Sequence, residues 1–72
     1  MQTETLIKMA NQIGDFFESY PDKEQSQEDI ANHINRFWTK DMRVQLAQHN
    51  LVKQGEGLHQ QVAAAISSYL QT

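Results

Sequence analysis

Large apolar residues recur along the first part of the chain at Leu6, Met9, Ile13, Phe16, Phe17 and Tyr20, in steps of three and four with one adjacent pair. This spacing follows one face of a 3.6-residue period and predicts an amphipathic helix over about residues 4–19. Thr3 or Thr5 can cap its start with a hydroxyl, and Pro21 disfavours helical backbone at Tyr20 and ends the run. Pro21-Asp22-Lys23 reads as a connector. Ser26, followed three residues later by Asp29, has the form of a capping box with the shorter acid. Ile30, Ala31, Ile34, Phe37 and Trp38 then mark a second helix over about 26–38. Thr39 is a stop and a new N-cap, with Asp41 favourably placed in the following first turn. A third helix over about 40–53 runs along Met42, Leu46 and His49 or Asn50. Gly55-Glu56-Gly57 breaks the pattern, because glycine takes left-handed geometry at a helix end without a Cβ clash. Leu58, Val62, Ala65, Ile66, Tyr69 and Leu70 outline a last helix over about 59–71. No segment alternates with period two, so no strand is expected. The fold class is all-α: a small single-domain bundle of three to four short amphipathic helices across residues 1–72.

Composition limits what such a bundle can do. Of 72 residues, 28 are apolar and six of those are alanine; leaving out the alanines and Met1, 21 larger apolar side chains remain. At this length the gain from burial and an ordering cost of about 1.5 kcal/mol per residue nearly cancel, which makes a partner plausible from the outset. The absence of cysteine removes disulfides, thiolate nucleophiles and iron–sulfur ligation together. The longest apolar stretch, Val62 to Ile66, is far short of the roughly 20 residues that a membrane span needs. The N-terminal segment lacks a basic region followed by an apolar one, so the expected compartment is the cytoplasm. Net charge is −3, distributed as −5 over residues 1–30 and +2 over 31–58, and ten glutamines dominate the uncharged polar surface. Neither a nucleic-acid binder nor an anionic-membrane binder usually has this balance.

Candidate chemistry is sparse. His33, His49 and His59 lie 16 and 10 residues apart, without the i, i+4 pairing that sets two imidazoles on one helical face for a metal. The acidic group Asp22, Glu24, Glu28 and Asp29 reads as a solvated helix start. Gly55-Glu56-Gly57 lacks the Lys and Ser/Thr of a phosphate loop. Arg36, Lys40 and Arg43 give a weak phosphate footprint on an acidic chain. Neither catalysis, nor a metal, nor nucleic acid is expected of the chain itself. Asn11, mid-helix beside the apolar stripe, is compatible with exposure, a local side-chain bond or a polar contact to a partner backbone. The adjacent pairs Phe16-Phe17 and Phe37-Trp38 diverge by about 100° on a helix, so both rings of a pair cannot face one core line. Either the apolar arc is wide, or one ring of each pair is left for a partner, where aromatic residues commonly anchor interfaces.

The stretch LIKMANQIGDFF from Leu6 to Phe17, then YPD at Tyr20 to Asp22, IANHINRFW from Ile30 to Trp38 and MR at Met42-Arg43 resembles the delta subunit of the cytoplasmic NAD-dependent, molybdenum-containing formate dehydrogenases. GEGL at Gly55 to Leu58, followed by Val62 and a helix of small residues, is similar to the end of the same pattern, so the resemblance covers almost the whole chain. One departure stands out: Thr39-Lys40 follows Phe37-Trp38 where the family often has an Asp-Pro step. Thr39 can still cap the helix there. The resemblance implies a non-catalytic accessory subunit, binding no cofactor itself and associated with a large catalytic alpha subunit. That alpha subunit would hold the molybdenum cofactor and iron–sulfur clusters, with FMN, further clusters and NAD in the beta and gamma subunits. It also implies support of complex stability or cofactor loading. Carried over from the matching motifs, the residues implied for partner contact or its scaffold are Met9, Asn11, Gln12, Phe16, Phe17, His33, Phe37, Trp38, Met42 and Arg43. The alternative is a generic helical protein–protein interaction module, including one that pairs with a second copy of itself.

Overall fold

A computed structural model describes all 72 residues as four helices: α1 (Thr3–Phe17), α2 (Lys23–Phe37), α3 (Lys40–Val52) and α4 (Gln60–Tyr69). There is no strand, as the lack of period-two alternation predicts.

Helix ends depart from the expected boundaries for identifiable reasons. α1 starts after Gln2, whose carbonyl accepts the amides of Thr5 and Leu6, and no side chain caps it. Thr3 lies inside the helix, and its hydroxyl instead accepts Gln45 Nε2 at 2.9 Å. α2 begins at Lys23 rather than 26, because Asp22 Oδ1 accepts both Glu24 N (3.0 Å) and Gln25 N (3.1 Å). A carboxylate at that position both satisfies free amides and faces the positive end of the helix dipole. Ser26 is therefore not a cap. It is buried, and its hydroxyl donates to the carbonyl of Phe17 at 3.0 Å, a second bond to an acceptor at the end of α1 that also takes the Tyr20 amide. Thr39 caps α3 as expected, its Oγ1 accepting Met42 N at 3.3 Å.

Beyond α3 the chain turns through three left-handed residues: Gln54 (φ 55°), Gly55 (φ 71°) and Gly57 (φ 84°). The first left-handed position is thus Gln54, one residue before the glycines. α4 starts at Gln60, capped by His59, whose Nδ1 accepts Gln61 N at 3.3 Å. It stops at Tyr69, because Asn35 and Arg43 take over the backbone there. Asn35 Nδ2 donates to Tyr69 O (3.2 Å), Asn35 Oδ1 accepts Gln71 N (2.8 Å), and Arg43 Nε donates to Gln71 O (2.8 Å).

The core joins Leu6 and Ala10 of α1, Ile30, Ala31 and Ile34 of α2, Leu46 of α3, and Val62, Ala65 and Ile66 of α4, with Trp38 closing one end. α2 and α4 form the most extensive helix pair. The inner line of α1 is Leu6, Ala10 and Gly14, all buried. The small members of this line let α4 approach so closely that a Cβ at Gly14 would lie 2.5 Å from Val62 Cγ2. The larger residues of the sequence stripe are displaced to the side of this line. Met9, Ile13 and Phe17 are only partly buried against the core, while Phe16 is exposed. That displacement leaves an apolar groove beside α1.

Candidate functional site

Between α1 and α2 lies an open groove of about 440 Å³, lined by Met9, Gln12, Ile13, Phe16, Phe17, His33 and Trp38. α1 contributes one bank because residues 9, 12, 13 and 16 fall on one side of the helix, adjacent to its Leu6–Ala10–Gly14 contact line. α2 contributes His33, and Trp38, just past the end of α2, is 6% exposed and belongs to the core. Phe16 and Phe37 are the opposite case, 72% and 67% exposed. Each adjacent pair therefore divides its rings: Trp38 is buried and Phe17 half-buried, whereas Phe37 and Phe16 face outward.

The exposed rings are held in place by their neighbours. Phe16 meets Phe17 edge-on at 5.0 Å between centroids, and Phe17 meets Tyr20 edge-on at 5.2 Å. His33 lies 4.8 Å from Phe37, and the Arg36 guanidinium sits 5.6 Å from the Phe37 centroid. Such contacts favour defined ring orientations, which reduces the ordering cost of binding against them. A smaller depression continues past Phe17 and His33 to Asp29, Asn32, Arg36 and Phe37.

Of the ten residues carried over by resemblance, the groove brings together Met9, Gln12, Phe16, Phe17, His33 and Trp38, with Phe37 in the adjoining depression. Three lie elsewhere. Asn11 spends its amide inside the chain: Nδ2 donates to Gly57 O at 2.9 Å and Oδ1 accepts His59 N at 2.8 Å. Of the three roles open to it from sequence, it takes none in that form, because it pins the α3–α4 loop of its own chain. Arg43 is likewise turned inward, donating to Trp38 O (2.6 Å) and Asn35 O (3.4 Å) as well as to Gln71 O. Met42 is half-buried against the core. Ile13 is a groove residue that the motif comparison passes over, although its four-residue spacing from both Met9 and Phe17 signals the position. Asn35 had no sequence signal, since its partners are 34 and 36 residues away.

The titratable groups are dispersed. His49 Nε2 lies 2.7 Å from Glu56 O, an acceptor only, so that nitrogen carries the proton. Asp15, Glu18 and His59 approach one another, with His59 Nε2 3.5 Å from Glu18 Oε1. The donor set resembles a metal triad in composition, but two of its three members are exposed carboxylates, and His59 Nδ1 is engaged by the α4 cap bond. No helix is long and apolar enough to cross a membrane.

The fold and the groove define the class: a small all-helical chain with an apolar trough beside α1 that carries an exposed aromatic ring. Within that class the chain belongs to the NADH-dependent formate dehydrogenase delta subunit family, FdsD, whose pattern it matches over residues 5–66. No curated protein and no solved structure matches it.

Proposed function

We propose that this chain is a non-catalytic accessory subunit that docks on the catalytic molybdenum subunit of a formate dehydrogenase and supports the stability or cofactor loading of the complex, in the cytoplasm. The observation that carries the reading is the groove: a member of this family holds Phe16 largely in solvent on an apolar trough, with Phe37 exposed in the adjoining depression. Exposed rings with restrained orientation lower stability in isolation and add affinity when a partner covers them.

The redox groups associated with such an enzyme do not fit this chain. It has no cysteine to ligate an iron–sulfur cluster. Its groove is lined by five hydrophobic residues among seven, without the charged clamp that a dinucleotide or a pyrophosphate requires. Molybdenum cofactor, clusters, FMN and NAD accordingly belong to the partner subunits in this reading.

The test is co-expression of the other formate dehydrogenase subunits with and without this chain. The reading expects lower complex yield, molybdenum content or formate-oxidising activity when it is left out. Equal values for all three would refute it.

A further inference from the structure

Among the three histidines, His59 alone uses a ring nitrogen as an acceptor. Its Nδ1 takes the amide of Gln61 at 3.3 Å, and that bond caps the start of α4. His49 differs, because its Nε2 meets a carbonyl to which a protonated ring would still donate. His33 contacts the ring of Phe37. A neutral imidazole offers one donor and one acceptor, whereas the protonated ring has two donors and no acceptor. One added proton on His59 therefore breaks its cap bond outright.

The same ring has carboxylates on its other side. Nε2 stands 3.5 Å from Glu18 Oε1, and one ring nitrogen lies within 4.8 Å of oxygens of both Asp15 and Glu18. Asp15 is in the last turn of α1 and Glu18 is its C-cap, an end at which the helix dipole favours a cation. The start of α4 is the opposite case: its dipole disfavours a cation, and its first turn holds no acidic residue. Tyr20 of the connector and Lys23 of α2 line the same depression as His59, and Lys23 adds a positive charge there. Glu56 of the α3–α4 loop lines a separate cleft with Lys8 and Lys53.

We propose that His59 is a proton-operated cap. Neutral, it holds the Gln61 amide and closes α4; protonated, it releases that amide and pairs with Glu18 and Asp15 of α1. Two neighbouring bonds do not involve the ring and confine the change. His59 N donates to Asn11 Oδ1 at 2.8 Å, and Ala63 N donates to His59 O at 2.9 Å. The released amide belongs to a residue whose side chain reaches α2: Gln61 Nε2 donates to Lys23 O at 3.4 Å, and Gln61 Oε1 accepts Gln27 Nε2 at 3.0 Å. The proton thus acts at the corner where α1, α2 and α4 meet. The exchange is internal to the chain and independent of any partner subunit.

Nuclear magnetic resonance of the full chain across about pH 5 to 8, the interval in which imidazole changes charge, tests this exchange. As the His59 ring takes up its proton, the Gln61 amide should lose several-fold of its protection from hydrogen exchange, corrected for the intrinsic rate. The Ala63 amide should keep its own. His59→Asn supplies an acceptor at every pH and should hold Gln61 protected throughout, whereas His59→Lys, a cation without an acceptor, should leave it unprotected throughout. A Gln61 amide indifferent to the charge of His59 would overturn the proposal, as would joint loss of protection at Gln61 and Ala63. So would a neutral ring that carries its hydrogen on Nδ1. If either variant fails to fold, the two amides of the parent chain decide the matter by themselves.

Discussion

Gly14 lies on the buried face of α1 against Val62 of α4, and substituting it sets two effects of opposite sign against each other. Gly14→Ala gains about 1 kcal/mol of helix propensity in the interior of α1. It also places a Cβ 2.5 Å from Val62 Cγ2, where carbon atoms normally rest about 3.5–4.0 Å apart. Val62 is fully buried and β-branched, with one strongly preferred helical rotamer, so its methyl has nowhere inexpensive to go. Overpacking of this kind costs about 1–3 kcal/mol, which outweighs the propensity gain and leaves a net loss of about 1 kcal/mol. For a chain of this length that lowers the melting temperature by about 4–8 °C. The other near neighbours, His59 Cβ and Cγ, stand at 3.7 Å, an ordinary contact, so the obstruction is a single methyl group. Removing it should reverse the sign: in a Val62→Ala background, Gly14→Ala should stabilise by about 1 kcal/mol. The four members of this double-mutant cycle can be compared by urea or thermal unfolding followed by circular dichroism, with a coupling of about 2 kcal/mol expected between the sites. The packing account is refuted if Gly14→Ala stabilises the parent chain, or if it has the same effect in both backgrounds.

Other substitutions test the remaining assignments. Asn11→Ala removes two loop-pinning hydrogen bonds and should cost about 2 kcal/mol in chemical denaturation, while Asn11→Asp keeps the acceptor for His59 N and should cost less at neutral pH. Asp22→Ala should destabilise by about 1 kcal/mol, read as a lower urea midpoint, whereas a cap at Ser26 would leave it neutral. Burial first, and then the carboxylates of Glu24 and Glu28, hold the Tyr69 phenol above its ordinary value of 10.0, with a further contribution from its hydrogen bond to Glu24. The folded chain therefore keeps this proton when the unfolded chain has lost it, so stability is unaffected by this group below pH 10 and declines as the pH rises through the folded value. Tyr69→Phe should reduce that alkaline decline in pH-dependent melting; an unchanged alkaline slope would contradict the assignment.

The four helices are legible in the sequence because apolar spacing of three and four survives in each, and because Pro21, Thr39 and the glycine-containing loop punctuate them. What the spacing conceals is which side of α1 faces inward. Large side chains mark the stripe in sequence, yet Ala10 and Gly14 lie on the contact line, because close approach to α4 favours small residues. The sequence places the α2 cap at Ser26 and Asp22 in the connector. Asp22 prevails because it adds a turn of helix and frees the Ser26 hydroxyl for the Phe17 carbonyl, a contact across helices that local sequence cannot show. The hydrogen bonds of Asn11 and Arg43 within the chain are likewise hidden in the sequence, because their partners lie up to 48 and 28 residues away. The groove itself was half visible. Adjacent aromatic pairs leave open a wide apolar arc or an outward ring, and only the fold shows that Phe16 and Phe37 point outward.

Native mass spectrometry of the formate dehydrogenase assembled in the presence of this chain tests the central claim most directly. The account predicts a complex in which this chain stays bound to the catalytic subunit through gentle dissociation of the others, with Phe16→Ala released more readily than the parent. Recovery of the parent chain only as a free monomer or as a homodimer, beside a fully assembled and active enzyme, would contradict it.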